Sequence, residues 1–240
     1  MTEKLYWEDA YKTEFSAIVT KAEGKSIWLD RTAFYPTGGG QPNDTGAIII
    51  NGTTYRIVDV RKENDEIIHT SYTLVNARPN DSATGKIDWE RRYSIMRYHT
   101  ALHLFNAIVE KRYATTITRG NQIYPDRARI DLDSNELNRE KVQELIKAAN
   151  LIAKEAHAVR SRNVTREAAL SIPAIAKTEP GKELINSLDT IRLVEIEGVD
   201  IQMDGGTHVK NTSELGTFNL KAFENKGTGK KRVELTLSSP

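Results

Sequence analysis

The sequence predicts an α+β protein: an N-terminal small β-barrel-like domain over residues 1–88, then an α/β two-layer domain with an antiparallel sheet over residues 89–240. Three observations predict it. Short alternating runs broken by turn residues fill the first 85 positions or so. The periodicity changes from two to 3.6 near Trp89. Beyond that point helical patterns interleave with strands that read as antiparallel partners.

Phe15–Thr20 and Ser26–Asp30 read as strands around a turn at Gly24. Gly46–Ile50, Asn51-Gly52 and Thr53–Val60 read as a hairpin, because Asn-Gly accepts the positive φ angles of a type I′ turn. Glu66–Thr70 is a further strand. Phe34-Tyr35-Pro36-Thr37-Gly38-Gly39-Gly40-Gln41-Pro42 is too rich in glycine and proline for regular structure. Ile95–Tyr113 is predicted helical, with Tyr98, Leu102, Phe105 and Val109 on one stripe. Ile123–Leu132 reads as one strand and Glu136–His157 as the clearest amphipathic helix. Val159–Val164 reads as a strand, and Thr165–Ser171 as a short capped helix ended by Pro173. Ile191–Ile196 is a strand; Gly216–Glu224 and Val233–Leu237 pair across a loop over 225–232.

Composition narrows the function classes. Of 240 residues 38% are hydrophobic and 28% charged, as in globular proteins. The longest apolar run, Ala47–Ile50, falls far short of the roughly 20 residues of a membrane helix. The N-terminus shows no apolar stretch of a signal peptide. A cytoplasmic protein without membrane contact is expected. With no cysteine, disulfides, a thiol nucleophile and thiolate metal sites are excluded. The net charge is +1, from 34 basic and 33 acidic residues, so nucleic-acid binding would need a local patch.

Two of the five histidines stand at His99-Thr100-Ala101-Leu102-His103. At i, i+4 both imidazoles leave one helix face, the spacing at which a helix offers two nitrogens to one zinc ion. The same spacing suits a half-exposed helix that carries two histidines without a ligand. Asp204-Gly205-Gly206-Thr207-His208 follows a strand, and a tight turn there lets Asp204 and His208 converge on one point. The alternative is a polar turn in which Asp204 caps the glycine amides. A zinc-protease reading fails, because the residue after the first histidine is Thr100 and not a glutamate base.

Three segments, in order and spread over nearly the whole chain, resemble the alanyl-tRNA editing proteins, free-standing relatives of the alanyl-tRNA synthetase editing domain. They are Thr32 to Pro42, with its glycine-rich core; Arg97 to His103; and Asp200 to Val209 followed by Asn211-Thr212-Ser213-Glu214-Leu215-Gly216. The length and barrel place the chain with the medium-length members. The resemblance implies hydrolysis of the ester between a wrong amino acid, chiefly serine and also glycine, and tRNA(Ala). It implies one zinc ion per chain, held by His99, His103 and His208. Asp204 falls where many members have cysteine; it is read as the fourth ligand or as a base acting on the attacking water.

Selecting serine over alanine needs a site that hydrogen-bonds the hydroxyl, since alanine then leaves polar groups unpaired. Thr116 and Thr118 are the candidates, Thr118 preferred. Gln41 and the amides of Gly38, Gly39 and Gly40 are candidates for binding the amino acid, the terminal adenosine or the water. Lys226-Gly227-Thr228-Gly229-Lys230-Lys231-Arg232 is read as a flexible basic loop, with Lys230, Lys231 and Arg232 reaching phosphates. Arg91, Arg92 and Arg97 form a second basic cluster. Two rival classes stay open: a zinc hydrolase of a small molecule, and a non-catalytic tRNA-binding module with a structural metal.

Overall fold

Alternation in the N-terminal part closes a sheet on itself. A computed structural model describes residues 1–173, 175–177 and 179–239, and of residues 179, 180 and 182 the backbone alone. The chain forms two compact units, residues 1–95 and 96–240. In the first, β1 (Glu3–Lys4) leads into the one-turn α1 (Leu5–Glu8). Then follow β2 (Glu14–Glu23), β3 (Ser26–Leu29), β4 (Arg31–Thr32), β5 (Gly46–Ile50), β6 (Thr53–Glu63), β7 (Glu66–Ser71) and β8 (Ser82–Ile87). Six of these close a barrel in the order β2-β3-β7-β6-β5-β8, while β1 and β4 pair in parallel.

Every second residue points inward: Phe15, Ala17 and Val19 on β2, Ile48 and Ile50 on β5, Tyr55 and Ile57 on β6. The predicted hairpin is present, with Asn51 and Gly52 at φ +50° and +78°. Strand β8 escaped the sequence reading because its inward positions are Ala83, Gly85 and Ile87, a weak apolar signal. Gly85 is small for a steric reason: a Cβ there would lie 2.3 Å from the Phe15 ring.

The glycine-rich segment is a closed turn. Gly38 and Gln41 exchange both backbone hydrogen bonds, at 3.0 and 2.9 Å, around Gly39 and Gly40 at φ +58° and +82°. Asp44 holds its far end by accepting from the Tyr35 amide at 2.6 Å. Arg92 in turn holds Asp44: its guanidinium, wholly buried, donates to both Asp44 carboxylate oxygens and to the carbonyls of Ala10 and Ala33. That ion pair explains why the first turns of the long helix α2 (Trp89–Arg112) belong to the first unit.

Helix α2 begins six residues before the expected Ile95, since Glu90, Arg91, Arg92 and Ser94 dilute the apolar pattern of its first turns. The predicted stripe is buried, but so are Ile95, Met96, Ala101, Leu104 and Ile108. In the second unit follow β9 (Ile117–Tyr124), β10 (Arg127–Asp133), α3 (Arg139–Lys154), β11 (Val159–Thr165), α4 (Arg166–Leu170), α5 (Glu179–Leu184), β12 (Thr190–Ile196), β13 (Asp200–Met203), β14 (Phe218–Asn225) and β15 (Lys230–Leu237). The expected single strand Ile123–Leu132 is the heart of a hairpin instead. Pro125 and Asp126 form its two-residue turn, where proline's fixed φ and missing N–H suit a reversal better than a ladder.

Two antiparallel sheets result, β14-β15-β10-β9 and β11-β12-β13. The Asn138 side chain caps α3 by accepting from the Lys141 amide. Asn150 then fixes α3 to β14 by bonding both the N–H and the C=O of Phe218. The fold is thus α+β, a six-stranded barrel plus antiparallel sheets with helices. Among the described residues no helix is long and apolar enough to cross a membrane.

His69 is sealed inside the barrel. Its Nδ1–H donates to the Ile27 carbonyl at 3.1 Å, which leaves Nε2 to accept from the Thr32 hydroxyl at 2.8 Å. Burial pushes its pKa from 6.5 down to about 4, against the Ile27 bond that raises it. The unfolded chain therefore binds a proton that the folded barrel refuses. The stability contributed is complete above pH 6.5 and is lost as the pH falls toward 4, by about 3 kcal/mol in all. Thermal melts of wild type and His69→Gln at pH 7 and pH 5 check this: acid should lower the wild-type melting temperature more than the variant's. Equal acid sensitivity would refute it.

Candidate metal centre

Helix α2 supplies the first pair of ligands. The i, i+4 spacing puts His99 and His103 on one face, with ring centroids 4.9 Å apart. The expected half-exposed face is an internal one. Both histidines are 5% exposed, and from Ile95 to Val109 no residue of α2 is exposed.

The turn after β13 supplies the other pair. Asp204 Oδ1 accepts from the Gly206 amide, so the capping role expected of a polar turn is also present. Arg192 on β12 clamps this turn by donating to the carbonyls of Asp204 and Gly206 at 3.0 and 3.1 Å. The Asp204 carboxylate then meets all three imidazoles. Its Oδ2 lies 3.3 Å from His99 Nε2 and 3.6 Å from His103 Nε2, and its Oδ1 lies 3.2 Å from His208 Nε2. One ligand atom from each of the four residues falls within 4.8 Å of the others.

The electrostatics suit a cation. Burial lowers the His99 pKa, opposed by the Asp204 carboxylate. Burial, with the neighbouring His99 and His103, holds His208 well below the usual histidine range. Both are neutral at pH 7 and carry lone pairs. Burial by itself would raise the Asp204 pKa. The facing His99 and the hydrogen bonds from His103, His208 and His99 outweigh it and hold the carboxyl well below its ordinary value. Imidazole nitrogens and an ionised carboxylate converging within 4.8 Å are the N/O donor set of a zinc-type site.

The residues behind the ligands were missed by the sequence reading. Thr100, noted there only as the missing protease glutamate, has its Oγ1 3.1 Å from His208 Nδ1 and accepts from the Val209 amide. Its hydroxyl fixes the outer nitrogen of His208, so that Nε2 faces the cluster. The His103 Nδ1 is different: it is buried without a hydrogen-bond partner, and its nearest acidic neighbour is Asp200 Oδ2 at 3.8 Å.

The threonine candidates separate. Thr118 on β9 is buried and donates to Asn106 Oδ1 at 2.5 Å. Asn106 stands one turn beyond His103 on α2, so Thr118 joins the histidine face of that helix. Thr116 instead bonds Ser134 Oγ, which accepts from the amides of Glu136 and Leu137. Its hydroxyl serves a turn.

The basic candidates are mostly paired. Lys230, Lys231 and Arg232 belong to β15 and not to the expected loop, because they continue the ladder with Asp133, Leu132 and Asp131. They line a groove of about 390 Å³ with Arg119, Lys226, Asp131 and Asp133. Arg232 forms a two-pronged ion pair with Asp131, and Lys231 bonds Asn225. The other basic cluster is structural: Arg92 is buried on Asp44, Arg91 binds the Asn43 carbonyl, and Arg97 binds the carbonyls of Glu214, Leu215 and Ser238. Gly38, Gly39, Gly40 and Gln41 lie in the first unit. Gln41 is buried, and the Gly38 amide hydrogen is spent on the Gln41 carbonyl.

Comparison with known proteins gives the family. Residues 191–234, which include Asp204 and His208, match the family model described as the threonyl and alanyl tRNA synthetase second additional domain. Residues 7–91 match the class II (A) tRNA synthetase model. Alanine–tRNA ligase of Metallosphaera sedula is 34% identical over 97% of this chain, which corresponds to 26% of that ligase. The alanyl-tRNA editing protein AlaX-M of Saccharolobus solfataricus is 42% identical over 99% of both chains, and its namesake from Methanosarcina acetivorans 39% over 99% of both. Identity at that level from end to end makes this chain a member of the alanyl-tRNA editing protein family.

Proposed function

We propose that the protein deacylates mischarged tRNA(Ala), chiefly seryl- and also glycyl-tRNA(Ala), by metal-dependent ester hydrolysis. Family membership carries the coarser statement, an alanyl-tRNA editing enzyme of the aminoacyl-tRNA deacylase kind. The observation that carries the finer one is the convergence of His99, His103, Asp204 and His208 on one buried point, with Thr118 tied to the same helix. Residues 89–240 are the editing domain in this reading and residues 1–88 the glycine-rich-motif domain. A cytoplasmic location belongs to the same reading.

One zinc ion held by His99, His103, Asp204 and His208 would supply a Lewis acid for the ester carbonyl. The chain's own residues do the selecting. Thr118 donates its hydroxyl hydrogen bond to Asn106 Oδ1, so the Thr118 oxygen is left to accept. A seryl hydroxyl can donate to it; an alanyl methyl cannot, and leaves a buried acceptor unpaired. Gln41 as a contact to the bound ester rests on its motif, as does phosphate contact by Lys230 and Lys231. Arg232 would first have to leave Asp131, with which it forms a part-buried two-pronged pair.

Incubation with seryl-, glycyl- and alanyl-tRNA(Ala) tests the reading. Serine should be released and alanine largely spared. Equal rates, or none above spontaneous hydrolysis, would refute editing, and salt-insensitive turnover of small esters instead would favour a small-molecule hydrolase. Thr118→Val should cut the preference for serine over alanine about tenfold, the worth of one buried hydrogen bond.

Asp204 has its own test. Asp204→Ala should lower both zinc content after dialysis and activity, whereas Asp204→Cys should keep the metal. Full zinc content in an inactive Asp204→Ala would make Asp204 a catalytic base and not a ligand.

A further inference from the structure

The three histidines are not equally supported, and the difference points to a residue with no role so far. His208 has its outer nitrogen on the Thr100 hydroxyl. His103 has its Nε2 toward Asp204 and its Nδ1 buried without a hydrogen-bond partner. What faces that Nδ1 is the Asp200 carboxylate, at 3.8 Å, with its own side chain 4% exposed.

We propose that Asp200 is the positioning residue of the ligand His103, accepting its Nδ1–H when Nε2 holds the metal. The inference rests on the metal-binding reading above. Asp200 is itself well anchored. Gln202 Nε2 donates to its Oδ2 at 2.7 Å, and Lys177 Nζ lies 3.7 Å from its Oδ1. Lys177 also pairs with Glu110, which accepts from the Asn106 amide, the partner of Thr118. A carboxylate so held is fixed in direction.

The chemistry of the acceptor gives the pairing its sense. A hydroxyl such as Thr100 can donate or accept, so it tolerates either imidazole tautomer. An ionised carboxylate only accepts, so it rewards the tautomer with the proton on Nδ1. That tautomer leaves the Nε2 lone pair directed into the cluster. Asp200 therefore selects the ligating form of His103 and fixes its ring. The gap of 3.8 Å exceeds a hydrogen bond and closes with a small ring rotation, which also satisfies the orphaned nitrogen. An outer-shell carboxylate of this kind changes metal affinity about 10–100-fold.

Zinc affinity, measured by competition with a chelator, tests it in wild type, Asp200→Ala and Asp200→Asn. Asp200→Ala should bind zinc about 10–100-fold more weakly. Asp200→Asn, whose carbonyl can still accept, should recover most of the loss. In zinc-loaded wild type, proton NMR should show a slowly exchanging downfield Nδ1–H of His103, kept in Asp200→Asn and lost in Asp200→Ala. The assignment is overturned if Asp200→Ala binds zinc like wild type. It is also overturned if zinc-loaded wild type lacks the protected His103 proton, which decides the matter should Asp200→Ala fail to fold. A wild type that binds no zinc would sink the metal reading and this inference with it, whereas tight zinc unaffected by Asp200 sinks the inference alone.

Discussion

The site depends on keeping one ionised carboxylate among three imidazoles with little water. A lone carboxylate in such surroundings would neutralise itself by taking a proton. Asp204 does not, because the Gly206 amide and the imidazole nitrogens are arranged around it before any ligand arrives. Two backbone devices make that arrangement. The pitch of α2 sets the spacing of His99 and His103, and a turn clamped by Arg192 sets Asp204 against His208. The donors therefore converge without the chain having to reorganise. What a cation adds is compensation of a charge that the fold has already gathered.

The outer contacts follow from the same constraint. Side chains that are to converge on one point need fixed rings, and an imidazole ring is fixed by its second nitrogen. Thr100 meets this need from within the histidine motif, at the position where a zinc protease carries its base. The substitution changes a group that could act on water into one that only orients.

Where the sequence was legible, local chemistry decided the structure. The barrel strands alternate because one face is core, and Asn51-Gly52 reverses the chain by its own φ preference. The histidine pair was visible because helical spacing is a local rule. Convergence of Asp204 on residues a hundred positions away was not local, and only the family resemblance joined the two segments. Other misreadings share one cause, a residue type placed against its usual habit. Arg92 reads as surface charge yet lies wholly buried on Asp44, where two carbonyls take its remaining hydrogens. Strand β8 carries a glycine inward because Phe15 fills the space. Pro125 sits inside a plausible strand and turns it into a hairpin.

The charge pattern bears on how an RNA substrate would be held. Most cations of the groove beside β15 already have partners: Arg232 with Asp131, Arg119 with Asp133, Lys226 with Glu224. A phosphate would have to displace a carboxylate from each, an exchange that is nearly neutral at the more exposed Lys226 and Arg119 and costs more at the part-buried, two-pronged Arg232. Such a surface gains little from any polyanion at large, in keeping with a net charge of +1. It gains only when several phosphates arrive in the right places together. An enzyme that must inspect an occasional wrong ester among many correct ones benefits from weak general attraction, because release of the wrong polymer then does not limit its turnover. In the proposed reading discrimination would rest with the buried Thr118, since a hydrogen bond to a buried group is worth more than a surface charge.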